Sequence, residues 1–330
     1  MSRLQQLRDW ASAQLHSDPV DLAPASEDAS FRRYFRIATA EGTVIAMDAP
    51  PPQEDCRPYV AVAQLFHAAG INVPRVLAQD IGRGFLLLSD LGSTTYLMAL
   101  NAGTAPELYR DATDTLLRLQ QASRAGVLPE YDARLLQREL RLFPDWYIAK
   151  HARIALSDTQ ATVLESTFEL VLANNLAEPQ VFVHRDYHSR NLMLTAPNPG
   201  VLDFQDAVFG PISYDLVSLF KDAYVSWDEE RVLDWLIRYW EKARRAQLPL
   251  PAEFSAFYRD FEWMGVQRHL KVLGIFARLA YRDGKQGFLK DLPLVMEYLR
   301  NACRRYRELA PMARLLDELE QRKVSSGYTF

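Results

Sequence analysis

The 330-residue sequence has only two cysteines, Cys56 and Cys303, which lie far apart and show no C-x-x-C spacing. This scarcity argues against a disulfide framework or a zinc site, and it predicts two inert packing residues in a reducing compartment. No run of ~18 apolar residues occurs, so a membrane span is not expected. The charged, amphipathic first ten residues also lack the apolar core of a signal peptide. We therefore expect a cytoplasmic protein.

Strong net charge is also absent. The formal net charge is −4, so no overall positive field favours binding to nucleic acid or to an anionic membrane. A small or nearly neutral partner is expected instead, while the sequence does not indicate an oligomeric state. Hydrophobic residues make up 48% of the chain, which is enough to bury one or two cores of roughly 100 to 200 residues each.

The first ninety residues show short patterns of mixed type. Apolar residues at helical spacing predict a helix over residues 3–15 and another over residues 54–69, which Gly70 closes as a left-handed cap. Alternating or β-branched segments predict four strands. These are residues 31–37, 43–47, 76–79 and 85–88. The pattern predicts a small N-terminal lobe with a mixed sheet.

Long helical patterns dominate the sequence after residue 92. Seven helices are predicted near residues 104–124, 133–151, 157–175, 213–225, 229–246, 253–282 and 290–308. Residues 179–203 interrupt them with three short strand-like segments that bound a loop. The fold class predicted from these patterns is α+β, with residues 1–91 as one lobe and residues 92–330 as a larger, mainly helical lobe.

The interrupting loop carries the clearest chemical signal. Residues 184–191 fit the pattern H-R-D-x-x-x-x-N, and Asp203 follows Asp186 after seventeen positions. This is the pattern of a kinase catalytic loop, in which one carboxylate orients the acceptor hydroxyl and an Asn and a second carboxylate hold magnesium. It predicts Asp186 as the catalytic residue, Asn191 and Asp203 as ligands of Mg²⁺, and ATP as the phosphoryl donor.

Two other interpretations of these residues remain open. Asp and Asn favour turns and caps, so the triple could be structural. His184, Asp186 and His188 also alternate, so on an extended segment they could bind a transition metal for hydrolysis. Against this second interpretation, the segment breaks into a loop after Asp186. We expect His184 to brace the catalytic loop and His188 to contact the substrate or product.

Asp215 lies at the start of a predicted helix, in the segment 214–216. Its carboxylate could accept hydrogen bonds from the backbone of the catalytic loop and act as a structural brace. Asp is favoured at helix starts in any case, so an ordinary helix-start residue is the alternative.

Taken with residues 203–206 and 214–216, the loop resembles the aminoglycoside phosphotransferase and choline kinase group, whose members are relatives of protein kinases. The resemblance covers nearly the whole chain. It implies a bilobal, protein-kinase-like fold, in which residues 1–91 form a nucleotide-binding lobe and residues 92–330 form a helical catalytic and substrate-binding lobe.

Three further segments, residues 28–36, 47–51 and 267–271, resemble the bacterial anomeric N-acetylmuramate/N-acetylglucosamine kinases. Those enzymes phosphorylate the C1 hydroxyl of amino sugars in cell-wall recycling. The resemblance implies the same activity here. The alternatives are an aminoglycoside, choline or homoserine-type kinase, or a nucleotide-binding pseudokinase that serves as a scaffold.

The sequence departs from the kinase pattern at the phosphate-binding elements. It has no G-x-G-x-x-G, and residues 44–47 read V-I-A-M where a kinase has V-A-I-K, so the phosphate-binding Lys is missing. We expect arginines from among Arg32, Arg33 and Arg36 to replace it, with Arg32 and Arg33 as the named candidates, because guanidinium groups bind phosphate oxygens in pairs. Strand alternation puts Arg32 and Arg36 on the side opposite Arg33, so not all three can serve. Each could also be a solvated surface residue.

The resemblance also implies that backbone groups of Ser89, Asp90 and Leu91 form the hinge that meets the adenine edge. Asp203 and Asp215 are only twelve residues apart and no A-P-E motif occurs, so a peptide substrate is disfavoured. A small-molecule pocket is expected instead.

Aromatic residues of the helical lobe are candidates for binding a sugar, because carbohydrate C–H groups pack on aromatic rings. Trp146 or Trp263 could form such a platform, although most aromatic residues must belong to the core. His269, together with Arg268 and Lys271, could pair with a lactyl carboxylate. A solvated helix face explains these three residues nearly as well.

Overall fold

The computed structural model describes residues 2–27 and 31–325. Residues 28–30, the start of one segment on which the amino-sugar kinase resemblance depends, lie outside this range. Packing divides the chain into two compact units. The first unit contains Met1–Ala122 and Arg190–Ala207, and the second contains Ser123–Ser189 and Val208–Phe330. The first unit thus includes residues beyond the lobe boundary expected at residue 91, and the assignment of functions to residues 1–91 and 92–330 stays a prediction.

The helices and strands are as follows. The strands are β1 Ala23–Glu27, β2 Arg33–Thr39, β3 Gly42–Asp48, β4 Val76–Asp80, β5 Phe85–Ser89, β6 Gln180–Val183, β7 Leu192–Met193, β8 Gly200–Val201 and β9 Val208–Pro211. The α-helices are α1 Arg3–Leu15, α2 Arg57–Ala68, α3 Tyr96–Ala99, α4 Ala105–Gln121, α5 Ala133–Leu140, α6 Asp158–Ala177, α7 Tyr214–Phe220, α8 Glu229–Arg245, α9 Phe254–Tyr281, α10 Leu292–Arg305 and α11 Ala310–Ser325. A π-helical segment covers Phe143–Ala152, and 3₁₀ turns cover Gln286–Asp291 and Arg307–Leu309.

A five-stranded sheet in the order β1-β2-β3-β5-β4 organises the first unit. Every neighbouring pair is antiparallel. The sheet is therefore purely antiparallel, whereas a mixed sheet was expected from the sequence. The pairs β2–β3 and β4–β5 are joined by short turns, which reverse the chain direction between neighbours. The fold class, a small sheet region followed by a mainly helical remainder, is confirmed.

One face of this sheet packs against α1. Phe35 and Ile37 of β2 are buried with Leu7 and Trp10 of α1 in a single hydrophobic cluster. The alternation along β2 therefore sends Tyr34 and its even-numbered neighbours to the opposite face. That face matters for the site described below.

Strand β1 was not predicted from the sequence. Its segment begins Ala23-Pro24, and proline is disfavoured within strands because it has no N–H to donate. β1 lies at the edge of the sheet, where a missing donor is tolerated, and its pairing with β2 shifts register after Pro24. Pairing with β2, rather than local propensity, therefore forms this strand.

Helix α9 is the central element of the second unit, whose large hydrophobic core includes Val266, Leu270, Leu273 and Ala277. The single helix predicted over residues 133–151 is instead α5 followed by the π-helical segment. Pro144 lies at the start of that segment and cannot donate a helical hydrogen bond, which favours a change of helix type there.

Strand β6 pairs with β9 in an antiparallel ladder, with Val183 opposite Val208. β9 was not predicted, whereas β6, β7 and β8 agree with the short strands expected between residues 179 and 203. Cys56 and Cys303 are both buried free thiols. Within the described part of the chain, no helix combines the length and hydropathy needed to cross a bilayer.

Gly274 allows α9 to pack closely against the start of the π-helical segment. A Cβ added to Gly274 would lie 2.3 Å from the backbone carbon of Leu142, and backbone cannot move aside cheaply. We predict that Gly274→Ala lowers the free energy of unfolding by about 2–3 kcal/mol, measured by urea denaturation. Gly287→Ala is the matched control, since its Cβ would meet nothing within 4 Å. Equal stability of the two variants would contradict this account.

Candidate active site

The predicted catalytic loop begins directly after β6, and side chains hold it by accepting hydrogen bonds from its backbone N–H groups. The Asp215 carboxylate accepts hydrogen bonds from the backbone N–H groups of His184, at 2.6 Å, and Arg185, at 3.0 Å. His184 is buried, and its Nδ1 accepts the backbone N–H of Asp186 at 3.2 Å. Arg185 has a positive φ of 78°, a conformation that costs energy unless neighbours fix it. These contacts support the bracing roles predicted for His184 and Asp215.

Burial raises the pKa of Asp215 to about 7, although the two backbone hydrogen bonds and the charge of Arg268 act in the opposite direction. The ionised carboxylate is the better hydrogen-bond acceptor, but it is costly in a buried position. Asp215 therefore titrates close to neutral pH.

Asp186 has a different environment, with 41% of its side chain exposed. The Arg268 guanidinium lies 3.9 Å from its Oδ1. Desolvation alone would raise the pKa of Asp186, but the positive charges of Lys271, Arg268 and His188 hold it well below its usual range. Asp186 is therefore ionised at neutral pH and can accept a hydrogen bond from a hydroxyl group.

Asn191 and Asp203, the two predicted metal ligands, flank the β7–β8 hairpin in the first unit. The backbone N–H of Leu202 donates to the carbonyl of Asn191 at 2.9 Å, which closes the base of the hairpin. The side chains consequently meet, with Asn191 Nδ2 3.4 Å from Asp203 Oδ2. The predicted hairpin between these residues is present and brings Asp203 to Asn191. The predicted return of Asp203 toward Asp186 stays a prediction.

Packing of the following residue fixes Asp203. Asp203 has a positive φ of 62°. Phe204 is buried between two rings of α2, with centroid distances of 4.8 Å to Tyr59 and 5.8 Å to Phe66. Gln205 also donates to Asp203 Oδ1 at 2.8 Å. A strained backbone held in this way presents the carboxylate at a defined position.

The donor set suits a hard cation. An Asn oxygen and a carboxylate are ligands typical of Mg²⁺, which usually keeps several waters and substrate phosphates besides one or two protein groups. Among residues 2–27 and 31–325, no group of three or more His, Cys, Asp or Glu side chains could hold a metal ion. His184, Asp186 and His188 therefore do not form the transition-metal site considered above.

The three arginines near β2 differ in their partners. Arg32 lies 3.6 Å from Oδ1 of Asp203. Arg33 forms an ion pair with the buried Asp48, and Arg36 pairs with Asp90 at 2.5 Å. Of the three, Arg32 is therefore the one next to a predicted metal ligand. Met47, where a kinase has its Lys, is fully buried.

The predicted hinge has its side chains engaged locally. Ser89 Oγ accepts the backbone N–H of Arg75 at 2.8 Å. Burial alone would raise the pKa of Asp90. Hydrogen bonds from Arg36, Thr43 and the backbone of Gly92 lower this pKa by more than burial raises it, so the net shift is downward. The side chains of Ser89 and Asp90 thus stabilise the strand end, and contact of the backbone of residues 89–91 with the nucleotide stays a prediction.

The four candidate sugar-binding residues lie in different environments. Trp263 is 3% exposed within the core, below the Arg259 guanidinium at 4.3 Å, and His269 is 2% exposed and stacks on Tyr298 at 5.3 Å. These positions favour packing roles for both. Trp146 is half-buried at the edge of the same core, and His188 packs edge-on to Tyr224 at 5.6 Å. As sugar contacts, all four stay predictions.

Sequence reasoning missed several residues that support the loop. Glu139 of α5 is buried and forms ion pairs with Arg185 and Lys271. Its sequence signal is an acidic residue on a helix face otherwise formed by Leu136 and Leu140. Asp222 accepts the backbone N–H of Ser189 at 3.0 Å, and no sequence pattern marks it.

A kinase-type loop, a hairpin bearing an Asn and Asp pair, and a five-stranded antiparallel sheet together define a phosphotransferase with a protein-kinase-like fold. A family model described as "Phosphotransferase enzyme family" matches residues 21–252. The chain belongs to this family.

Curated relatives cover nearly the entire chain. A protein of Pseudomonas aeruginosa is 52% identical over 330 residues, which span 97% of this chain and 98% of the relative. A protein of Neisseria meningitidis serogroup B is 51% identical over 336 residues and covers all of both chains. Each is named N-acetylmuramate/N-acetylglucosamine kinase.

Solved structures with low sequence identity share the fold. Choline kinase LicA from Streptococcus pneumoniae has a TM-score of 0.65 at 12% identity, over 91% of this chain and 100% of that chain. The gentamicin complex of APH(2")-IIa has a TM-score of 0.59 at 14% identity, over 89% of this chain and 97% of that chain.

The raised pKa of Asp215 predicts a pH-dependent stability. Since the folded pKa lies near 7 and an unfolded Asp titrates near 3.8, its contribution to stability is present below about pH 4 and is lost as pH rises through 7. Asp215→Asn stays neutral, so this dependence should disappear. We expect the melting temperature of the unsubstituted protein, relative to that of Asp215→Asn, to fall between pH 5 and pH 8.

Thermal unfolding followed by circular dichroism at each pH measures this difference. Asp234→Asn, which changes an exposed carboxylate on α8, is the control and should leave the pH dependence unaltered. A constant difference between the unsubstituted protein and Asp215→Asn across this range would show that Asp215 does not titrate there.

Proposed function

We propose that this chain is an ATP- and Mg²⁺-dependent kinase that phosphorylates the anomeric C1 hydroxyl of N-acetylmuramate and N-acetylglucosamine. The observation that carries this proposal is the identity of 51–52% to relatives bearing that name, over nearly the whole of both chains. The proposed place of the reaction is cell-wall recycling in the cytoplasm.

Each residue of the site has a role in this proposal. Asp186 accepts a hydrogen bond from the C1 hydroxyl and orients its oxygen toward the phosphorus atom that it attacks. Asn191 and Asp203 would hold Mg²⁺ through their oxygen atoms. The bound ion would neutralise charge on the ATP phosphates. His184 and Asp215 keep the loop in its shape.

The low basicity of Asp186 suits this acceptor. Its carboxylate is stabilised as the anion by neighbouring positive charges, so it is a weak base. The hydroxyl group of a hemiacetal is more acidic than that of an ordinary alcohol. A residue that mainly orients the hydroxyl and takes its proton late is therefore sufficient for an anomeric acceptor.

Arg32 takes the place of the missing phosphate-binding Lys in this proposal. It is mostly buried and lies beside Asp203, so its guanidinium can bind phosphate oxygens next to the metal ligands. Arg33 is committed to Asp48 and points to the other face of β2. These partners favour Arg32 over Arg33.

Phosphorus NMR of the product tests the reaction. We expect ATP-dependent formation of a phosphate coupled to the anomeric proton, with either N-acetylmuramate or N-acetylglucosamine as acceptor. Asp186→Ala should lower kcat by about 10²–10⁴-fold, while Asp234→Ala, an exposed control on α8, should leave it unchanged.

Other products would refute the proposal in distinct ways. A phosphate on C6 would refute the anomeric assignment, and turnover of choline or an aminoglycoside alone would refute the amino-sugar assignment. Tight ATP binding without turnover of any acceptor would support a pseudokinase scaffold.

The assignment of Arg32 generates a separate prediction. Arg32→Ala should raise KM for ATP about tenfold, equivalent to about 1.4 kcal/mol, with a smaller effect on KM for the sugar. Arg33→Ala is the matched control, and it should reduce stability because Asp48 loses a partner while KM for ATP stays within about twofold. If neither variant changes KM for ATP, arginine compensation for the missing Lys is wrong.

A further inference from the structure

Arg268 of α9 contacts the catalytic loop at two points. Its side chain is only 7% exposed. Nη1 donates to the backbone carbonyl of Arg185 at 2.8 Å and to the hydroxyl group of Tyr214 at 3.2 Å. Nη2 lies 3.9 Å from Oδ1 of Asp186. A single buried guanidinium thus reaches both the carboxylate of Asp186 and the peptide group that precedes it.

A second layer of buried charge holds Arg268 in place. Lys271, one turn further along α9, donates to the Tyr214 hydroxyl at 2.9 Å and lies 3.0 Å from Oε1 of Glu139. Glu139 also pairs with the Arg185 guanidinium and accepts a hydrogen bond from Tyr131. Because buried cations are costly without an anion nearby, Glu139 offsets the charge of Lys271 and Arg185.

These contacts fix Arg185 in its strained conformation. Its N–H donates to Asp215, its carbonyl accepts from Arg268, and its guanidinium pairs with Glu139. A residue with a φ of 78° would otherwise relax. Asp186 follows it directly, so the direction in which the carboxylate points depends on this arrangement.

We propose that Arg268 is a positioning residue for Asp186. Through its contacts with the Arg185 carbonyl and the Asp186 carboxylate, it keeps that carboxylate aimed at the acceptor hydroxyl. Tyr214 and the Lys271–Glu139 pair keep Arg268 in place. This inference rests on the proposed role of Asp186 in phosphoryl transfer. It differs from the expectation that Arg268 and Lys271 bind a lactyl carboxylate of the substrate, because both side chains are engaged by groups of the protein.

Steady-state kinetics of Arg268→Gln and Arg268→Lys test this role. With both N-acetylglucosamine and N-acetylmuramate, Arg268→Gln should lower kcat about 10- to 100-fold, while KM for ATP and KM for each sugar stay within about twofold. Arg268→Lys keeps the charge and should recover part of kcat. Arg282→Gln, which removes an exposed arginine at the end of α9, is the control and should behave as the unsubstituted protein does.

Two kinetic outcomes would overturn the proposal. One is an unchanged kcat for Arg268→Gln. The other is an increase of KM confined to N-acetylmuramate, the sugar with the lactyl carboxylate, which would make Arg268 a substrate-binding residue instead.

A substrate-free experiment separates this inference from the proposed function. Melting temperatures of Asp186→Asn, Arg268→Gln and the double variant form a double-mutant cycle. If the two side chains interact, the double variant should lose less than the sum of the two single losses, because no charge is left buried without its partner. Additive losses would show that Arg268 does not act on Asp186, whatever the acceptor proves to be.

Discussion

The site depends on keeping one carboxylate ionised and correctly directed beside a cluster of buried charges. Asp186 is partly exposed, while Arg268, Lys271 and Glu139 behind it are buried. Burial makes each of these charges expensive unless it is paired, so the cluster is stable only as a whole. The same pairing that balances the charges also fixes the backbone before Asp186. Stability of the cluster and orientation of Asp186 are therefore one constraint.

Backbone strain follows the same logic in both units. Arg185 and Asp203 are non-glycine residues with positive φ. Asp203 is itself a predicted metal ligand, and Arg185 directly precedes Asp186, the predicted catalytic residue. Arg185 is held by hydrogen bonds and an ion pair, and Asp203 by the packing of Phe204 against α2. The contacts differ because Arg185 is surrounded mainly by polar groups, whereas the residue after Asp203 packs among aromatic rings. In each case the surroundings offset the cost of the conformation.

Local patterns were sufficient for much of the fold. The hairpin that carries Asn191 and Asp203 was predicted because short apolar segments flank a turn, and most helices were predicted from their periodicity. Strand β1 and the π-helical segment were missed. Strand β1 depends on pairing with β2, and the π-helical segment begins where Pro144 interrupts a pattern that had predicted one continuous helix. The lobe functions and the site residues stay predictions, although the contacts of His184 and Asp215 agree with them.

The sequence by itself determined the class of chemistry, because the spacing of Asp186, Asn191 and Asp203 is specific enough to mark a phosphotransferase loop. It could not rank Arg32 above Arg33, since both are arginines beside one strand and only their partners, Asp203 and Asp48, distinguish them. Nor could it find Glu139, which is forty-seven residues from Asp186. Such pairings are decided by tertiary structure, because the energy of a charge depends on which groups folding places within a few ångströms of it.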